Sequence, residues 1–561
     1  MVNWKSRKTG DLLLLANGIV ALILINVLAS KFFFRLDLTA EKRYSIHPST
    51  KEMLSHLEDD VFVEVFLEGE LNAGFRRFQK SIRETLGMFR DYSGNKVHFS
   101  FTDPATAISQ KARAEFMADL AAKGIQPTNV IDTRDGQRVE KLIFPGVVVS
   151  YGGTETGVML LKGNKARTSE EEINQSIEGI EFEIANAIYK LTADDPPLVG
   201  VVAGHGELEG PSALSFDRAV AGLYHTRRID LQDPSLSRCD VLVIAKPTSP
   251  FSDIDKYRLD QYIMSGGRVM FLIDKLDASM DSAAQANHFA FPYETGLDDM
   301  LFRYGVRVNP DLVQDRYAAR YPVITGQRPD GTPQIHLMEW PFFPLINRFA
   351  DHPITHNLDR VLTRFVSSID TVKAEGVKKT PLLLTSEYSR TLMAPVNVNI
   401  NELRRNLTAE QFTEKFVPVA YLLEGTFTSL FKNRFLPEGA DQGSFKEQSI
   451  ATSMVVVADG DIIRNEINRR TGEPQPLGFD PFTNYTFANQ DFLLNAISYL
   501  VDEDGLIRAR KKEISIRPLN REKIADERLK WQSINLGIPL LVLIVFGVSR
   551  SYWRRRKFAN F

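Results

Sequence analysis

The longest hydrophobic runs of this 561-residue chain lie close to its two ends. The first run, Leu12–Ser30, contains no charged side chain, and at ~1.5 Å per residue a helix of this length would span roughly 28 Å. The second extends from Trp531 to about Val548 and includes Pro539, a residue that membrane helices tolerate. The pattern therefore predicts one transmembrane helix near each terminus and a large body between them.

Positively charged residues flank both runs on the side nearer the terminus. Lys5, Arg7 and Lys8 precede the first run, and a basic cluster at positions 550–557 follows the second. Because such residues stay in the cytoplasm, we expect both termini inside and the body in the periplasm of a bacterial inner membrane. The alternatives are a cleaved signal peptide, whose apolar core is usually only ~7–15 residues, for the first run, and a buried core helix for the second.

Between the runs, the first part of the body alternates strand and helix patterns. Val61–Leu67 alternates like a strand, a helical stripe follows over 75–89, and Val97–Phe101 alternates again. A strand pair over 141–161 and a long helix over 173–191 complete the block. We predict a membrane-anchoring segment at 1–36 and a thioredoxin-like α/β domain at 37–195. The domain contains no CxxC, so redox chemistry is excluded there.

A second block contains short, continuous apolar runs that are typical of buried parallel strands. They lie at Leu198–Ala203, Asp240–Ala245, Arg268–Asp274 and Met454–Ala458. This spacing predicts a doubly wound α/β domain of flavodoxin-like or amidotransferase-like order over 196–507, with insertions, although the pattern over 280–450 defines no fold. A charge-rich stalk is expected at 508–530, followed by the second membrane helix and basic tail at 531–561. The fold class is therefore α/β, flanked by two transmembrane helices.

Composition and charge narrow the possible functions. Hydrophobic residues make up 43% and charged residues 25% of the chain, as in ordinary globular proteins, and the formal net charge is −3. Because no basic excess is available to neutralise phosphates, nucleic acid is not expected as a partner. The single cysteine, Cys239, cannot form a disulfide within the chain.

The most suggestive local motif is formed by Gly204, His205, Gly206 and Glu207. It follows a predicted strand, where α/β folds place ligands, and its glycines would let a ligand approach the backbone. The glycine spacing matches neither a dinucleotide fingerprint nor a phosphate loop. We therefore predict a ligand-binding turn here, with a tight turn around a hydrogen-bonded histidine as the structural alternative.

Other candidate sites are weaker. His352 and His356 have the spacing of a zinc pair, but Pro353 lies between them and favours a turn. Cys239 precedes its strand, whereas a nucleophile in such a fold would follow one. Gly152–Gly157 resembles a phosphate loop, but Val158 stands where a lysine is needed. We expect no catalytic residues, no metal and no cofactor.

Two asparagines lie within the first hydrophobic run. Asn17 and Asn26 are polar side chains that prefer a hydrogen-bonding partner to lipid. We predict that they face another membrane subunit, with a bond to their own helix backbone as the alternative.

Several distinctive stretches are spread along the whole chain. They are Leu38–Ser45, Asn174–Glu183, Val202–Glu207, Ser265–Arg268, Pro476–Asp480, Asn489–Asn495 and Trp531–Asn535. In their order they resemble the family of gliding-motility-associated ABC transporter components (GldG), part of a wider group of uncharacterised ABC-type transport proteins.

The resemblance implies a non-enzymatic inner-membrane subunit of an ABC transporter that is linked to gliding motility and secretion. Its partners would be a multi-pass ABC permease subunit, a cytoplasmic ATPase subunit reached through the permease, the lipid bilayer and possibly a second copy of the chain. The alternative function is a periplasmic ligand-binding or hydrolytic module that uses the Gly204–Glu207 turn.

Overall fold

A computed structural model describes most of the chain. The described residues are 7–31, 45–104, 127–134, 137–162, 169–192, 196–284, 288–400, 407–502 and 527–558, with parts of 111–125. They fall into two units, Met1–Lys512 and Glu513–Phe561, and each is described by itself below.

The first unit begins with helix α1 (Arg7–Lys31), which covers the first predicted membrane run. Among the residues whose side chains are described, its apolar stretch Leu13–Val27 is exposed, and it is shorter than the ~20 residues that usually cross a bilayer. The N-terminal span therefore stays a prediction.

The first α/β domain follows. Its elements are α2 (Pro48–Ser55), β1 (Val61–Val65), α3 (Ala73–Tyr92), β2 (Val97–Phe101), β3 (Thr128–Arg134), β4 (Gln137–Ile143), β5 (Gly146–Tyr151), β6 (Thr154–Met159) and α4 (Ser169–Thr192). Four strands form a sheet in the order β2-β1-β5-β6, in which β1 and β2 are parallel and the other pairs antiparallel. This connectivity is compatible with the predicted thioredoxin-like layout.

Helix α3 shows how the local sequence builds this domain. The side chain of Asn72 accepts a hydrogen bond from the backbone N–H of Phe75 at 3.0 Å and so caps the helix. Phe78, Ile82 and Phe89 recur at helical spacing and are fully buried against the sheet and α4.

The second α/β domain starts with β7 (Leu198–Val202), α5 (Leu214–Ala221), β8 (His225–Ile229), β9 (Val241–Ala245), α6 (Asp253–Met264) and β10 (Arg268–Leu272). The chain then continues through α7 (Met280–Ala283), β11 (Phe289–Ala290), α8 (Asp298–Tyr304), β12 (Val306–Val308), β13 (Asp311–Asp315), β14 (Ala318–Gln327), β15 (Pro333–Ile346), β16 (Arg348–Phe349), β17 (Val361–Leu362), β18 (Ile369–Thr371), β19 (Val377–Leu384), β20 (Ser389–Met393) and β21 (Val396–Asn397). It ends with β22 (Pro418–Gly425), β23 (Thr452–Val457), β24 (Phe479–Asp480), β25 (Tyr485–Thr486) and α9 (Asn489–Val501).

An eight-stranded sheet organises this domain, in the order β16-β19-β22-β23-β10-β9-β7-β8. The five strands β8, β7, β9, β10 and β23 run parallel to one another. The remaining three, β22, β19 and β16, each pair antiparallel with the neighbouring strand. Numbered by chain order, the parallel strands follow 2-1-3-4-5, which is the flavodoxin-like order with its switch point between β7 and β9. The structure thus confirms a mixed α/β fold.

The region over 280–450, which the sequence pattern left undefined, has two roles. It supplies the three antiparallel strands of the large sheet, and it forms several small sheets around a separate aromatic core. Trp340 is buried at the centre of that core, with its ring 4.7 Å from Phe343 and 5.6 Å from Phe365 between centroids.

The second unit contains helix α10 (Arg528–Phe558), which begins three residues before the predicted span at Trp531. Among the described residues, its segment Arg528–Arg556 is the one helix long and apolar enough to cross a membrane. The predicted stalk at 508–530 lies almost entirely outside the described residues.

Candidate functional site

The candidate site lies at the carboxyl ends of the parallel strands of the large sheet. Doubly wound sheets bind their ligands at this edge, next to the point where the strand order reverses. Here β7 leads into Gly204–Glu207, and its neighbour β9 leads into a loop over 246–252. The structure therefore brings the predicted turn to the expected place in the sheet.

The backbone of the turn is held by the neighbouring loop. The carbonyl oxygen of His205 accepts hydrogen bonds from the backbone N–H groups of Thr248 and Ser249 at 3.0 and 2.8 Å. Gly204 and Gly206 have φ angles of +115° and +71°, which favour glycine, and a Cβ on Gly206 would collide with the side chain of Thr248. The conformation of the turn is therefore sufficient to explain why glycine occupies these two positions.

The imidazole ring of His205 is buried between two carboxylates. Its Nδ1 lies 3.3 Å from Glu207 Oε1, and its Nε2 lies 3.4 Å from Asp255 Oδ2. Its backbone N–H donates to Glu207 Oε2 at 2.7 Å, and the ring stacks on Phe251 with 3.7 Å between centroids. Both ring nitrogens are therefore engaged by the protein.

These contacts set the protonation of His205. Burial lowers the pKa of the imidazole, but the hydrogen bonds and charges of Glu207 and Asp255 outweigh it, so that the pKa is raised. When protonated, the ring pairs with both carboxylates and links the turn after β7 to the start of α6, where Ser252 donates to Asp255 Oδ2 at 2.5 Å. We call this arrangement of His205, Glu207 and Asp255 the His205 clasp.

A second charged cluster lies at the same edge, beyond β9, β10 and β23. Lys246 Nζ lies 2.7 Å from both Asp274 Oδ2 and Asp461 Oδ1. Asp461 also pairs with Arg464 at 2.6 Å, and Asp274 accepts a hydrogen bond from the backbone N–H of Gly460. These charges are buried but mutually neutralised.

One further acid completes the Lys246 cluster. Asp459 is fully buried, and burial followed by repulsion from Asp274 and Asp461 raises the pKa of its carboxyl group well above the ordinary value. Its Oδ2 accepts from the backbone N–H of Arg364 at 2.8 Å, while its Oδ1 has no hydrogen-bond partner among the described residues. Burial likewise raises the pKa of Asp274 to about 6.

Only part of this edge is predicted from the sequence. His205 and Glu207, two residues apart, belong to the predicted motif, whereas Asp255 as a partner of the histidine and the Lys246 cluster were not predicted. A signal was present: Lys246, Asp274 and Asp459 each stand immediately after a buried strand run. Because parallel strands end at one edge, charged residues in that position meet in space.

The other candidates take structural roles. His352 Nδ1 accepts from the backbone N–H of Ile354 at 3.3 Å, and His356 Nε2 lies 3.8 Å from Glu178 Oε2. Cys239 is buried, and burial raises the pKa of its thiol. Across the described part of the chain, no group of three or more His, Cys, Asp or Glu residues is arranged to hold a metal ion.

The two asparagines of α1 differ from each other. The side chain of Asn26 donates to the backbone carbonyl of Leu22 at 3.2 Å, which is the local bond expected as the alternative. Asn17 is exposed on the same helix. Contact of either side chain with another subunit stays a prediction.

Comparisons with known proteins give one informative match. A family model described as an ABC-type uncharacterized transport system matches residues 196–496, more than half of the chain. A domain of unknown function (DUF7088) matches residues 40–150. An uncharacterized protein of Borreliella burgdorferi is 23% identical over 561 residues, covering 98% of this chain and 99% of that protein. The mmIFT52 N-terminal domain aligns with 54% of this chain and 96% of its own, at 12% identity, but the TM-score of 0.30 carries no argument.

The Lys246 cluster predicts a large loss of stability for one substitution and little change in stability for another. Lys246→Met would leave Asp274 and Asp461 without their shared counter-charge, and we expect the free energy of unfolding to fall by about 3–5 kcal/mol. Asp459→Asn replaces a carboxyl group whose pKa burial raises by an uncharged amide of similar shape, and it should leave stability within about 0.5 kcal/mol of wild type. Chemical denaturation of both variants tests this. Equal destabilisation by the two substitutions would contradict the prediction.

The His205 clasp predicts a pH dependence. Because the folded-state pKa is raised, the stabilisation is fully present below the ordinary pKa of about 6.5 and is lost as the pH rises through the folded value. The stability advantage of wild type over His205→Gln should therefore shrink between about pH 6.5 and the folded value. A constant advantage of wild type over His205→Gln would contradict the prediction.

Proposed function

The chain belongs to the family described as an ABC-type uncharacterized transport system, and from this membership we propose that it is a non-enzymatic accessory subunit of an ABC transporter in a bacterial inner membrane. The observation that carries the proposal is the family match over 196–496, which spans the large sheet and its charged edge. The match confirms the wider transport group that the sequence resembled. It supports a transport-associated accessory role.

The chemistry of the carboxyl edge supports a non-enzymatic role. His205 lies between two carboxylates, and Lys246 lies between two more, so these charged groups face one another. Catalytic groups need a free position toward a substrate. Interlocked charges instead suit a body that keeps its shape while it is attached to other subunits.

The proposed partners follow from the absence of an ATP-binding motif in the sequence. It has no phosphate-loop motif, so ATP would be hydrolysed by a cytoplasmic ATPase subunit reached through a multi-pass permease. Helix α10, with its exposed apolar side chains and basic end, supports anchoring in the lipid bilayer. A second copy of the chain in the complex is compatible with this arrangement.

We extend the proposal to topology and system. Basic residues at both ends support a two-pass arrangement with cytoplasmic termini and a periplasmic body. The link to gliding motility and secretion is supported by the resemblance to the GldG family described above.

Ligand binding at Gly204–Glu207 is the second candidate function. Its support is the position of the turn at the switch point between β7 and β9. The clasp around His205 would have to open for a ligand to reach the ring. Ligand-dependent stabilisation that disappears in His205→Ala would favour this function.

Co-purification tests the transporter assignment. Full-length protein extracted in mild detergent should capture a multi-pass permease and an ATPase. If Asn17 and Asn26 face the permease, replacing both by leucine should lower its recovery by roughly tenfold, which corresponds to about 1.4 kcal/mol of binding free energy.

The matched control for this pull-down is the double variant Ala16→Leu and Ile25→Leu, which changes apolar positions next to the two asparagines. It should retain the permease. Isolation of the full-length protein without any membrane partner would refute the transporter assignment, and equal recovery by both double variants would refute the asparagine contact.

Thiol labelling tests the topology. A membrane-impermeant maleimide added to cells with a permeabilised outer membrane should label Phe435→Cys, because Phe435 is fully exposed on the body. Ser6→Cys and Ser551→Cys, beside the basic clusters, should react only after the inner membrane is opened. The wild-type chain is the blank, since burial raises the pKa of its single thiol, Cys239. Labelling of Ser6→Cys in intact cells would contradict two membrane spans.

A further inference from the structure

A groove separates the first α/β domain from helix α9 of the second. It has a volume of about 240 Å³ and continues into a smaller pocket of about 30 Å³. One wall comes from β6 and α4, and the other from α9 and Leu223. The residues shared by the groove and the pocket include Asn186, Lys190 and Ser498.

Lys190 is the unusual residue of this groove. Among the described residues its ammonium group makes no hydrogen bond or ion pair. It makes a cation–π contact with the ring of Tyr224, at 5.7 Å from the centroid. Burial raises the pKa of Tyr224 to about 12, so the phenol is neutral and cannot act as a counter-charge. Its hydroxyl group instead bonds to that of Ser498 at 2.7 Å.

The other charged groups that line the groove make no ion pair with Lys190 in the described part of the chain. Lys162 and Glu183 pair with each other at 2.8 Å, and Asp491 is exposed in the first turn of α9. Asp502 lines the smaller pocket together with Lys190, without an ion pair between the two. Burial, which outweighs the charge of Glu183, lowers the pKa of Lys190 to about 8. A half-buried amine without a counter-charge is stabilised by an added anion.

Asn186 provides a second polar contact. It lies four residues before Lys190 on α4, so both side chains are on one face of the helix. Its amide makes no hydrogen bond within the described part of the chain. The amide can donate to a ligand oxygen beside the ammonium group.

We propose that this groove binds a small oxyanion, a carboxylate or a phosphate ester, which pairs with Lys190 and accepts a hydrogen bond from Asn186. An oxyanion supplies the missing counter-charge and the acceptor atoms at once. The volume suits a metabolite-sized molecule and is smaller than that of a typical drug-sized pocket. The groove itself is lined by residues of both α4 and α9.

Trace acetylation of the full-length protein in detergent, followed by mass spectrometry, measures the reactivity of Lys190 directly. With a pKa of about 8, about half of the amine is neutral at pH 8. Succinate and inorganic phosphate are the two probes, and they distinguish carboxylate from phosphate recognition. A bound anion that raises the pKa by one unit should lower the labelling at pH 8 about fivefold.

Two controls define the outcome. Lys51 lies 4.8 Å over the ring of Tyr92 on the first domain, so it has a similar ring contact away from the groove and should keep its reactivity. Uncharged succinamide should protect neither lysine. In a parallel thermal-shift series, Lys190→Met should abolish stabilisation by the effective anion, whereas Lys51→Met should retain it.

Unchanged labelling of Lys190 with both anions at tens of millimolar would overturn the proposal. Equal loss of labelling at Lys190 and Lys51 would show a general salt effect and would overturn it as well. The labelling experiment uses the wild-type chain, so it decides the question even if Lys190→Met does not fold. It is also independent of the transporter assignment.

Discussion

The second domain depends on the neutralisation of charge at the carboxyl edge of its sheet. Lys246 lies between Asp274 and Asp461, and all three side chains are buried. An isolated buried charge would cost several kcal/mol, so each of these three charges depends on the others for its burial at the sheet edge. Asp459 adds a connection to the inserted region, because it accepts a hydrogen bond from the backbone of Arg364. The cluster thus ties together β9, β10, β23 and the long insertion.

The parts of the fold that sequence patterns predicted are those set by local periodicity. The apolar runs at β7, β9, β10 and β23 and the helical stripe of α3 appear where the patterns placed them. The region over 280–450 could not be assigned, because its short strands pair across long distances. β13 pairs with β20, and β15 pairs with β17 through a two-residue contact. Such pairings leave no period in the sequence.

The same contrast between local and long-range signals applies to the candidate site. His205 and Glu207 are close in the sequence, and their motif was visible there. Asp255, which holds the other side of the imidazole ring, is 50 residues away from His205. Lys246 and Asp461 meet only because β9, β10 and β23 are parallel neighbours. Charged residues directly after buried strands therefore deserve to be treated as one group whenever a parallel sheet is predicted.

The groove at Lys190 shows a different use of burial. At the sheet edge, each buried charge has a partner within the protein, which favours a fixed structure. Lys190 is half-buried and has no charged partner among the described residues, so burial lowers the pKa of its ammonium group. The two walls of the groove also differ in chain position: α4 closes the domain that follows the N-terminal helix, and α9 is the last described element before the C-terminal one. An anion held by Lys190 would therefore lie where α4 and α9 line the same groove.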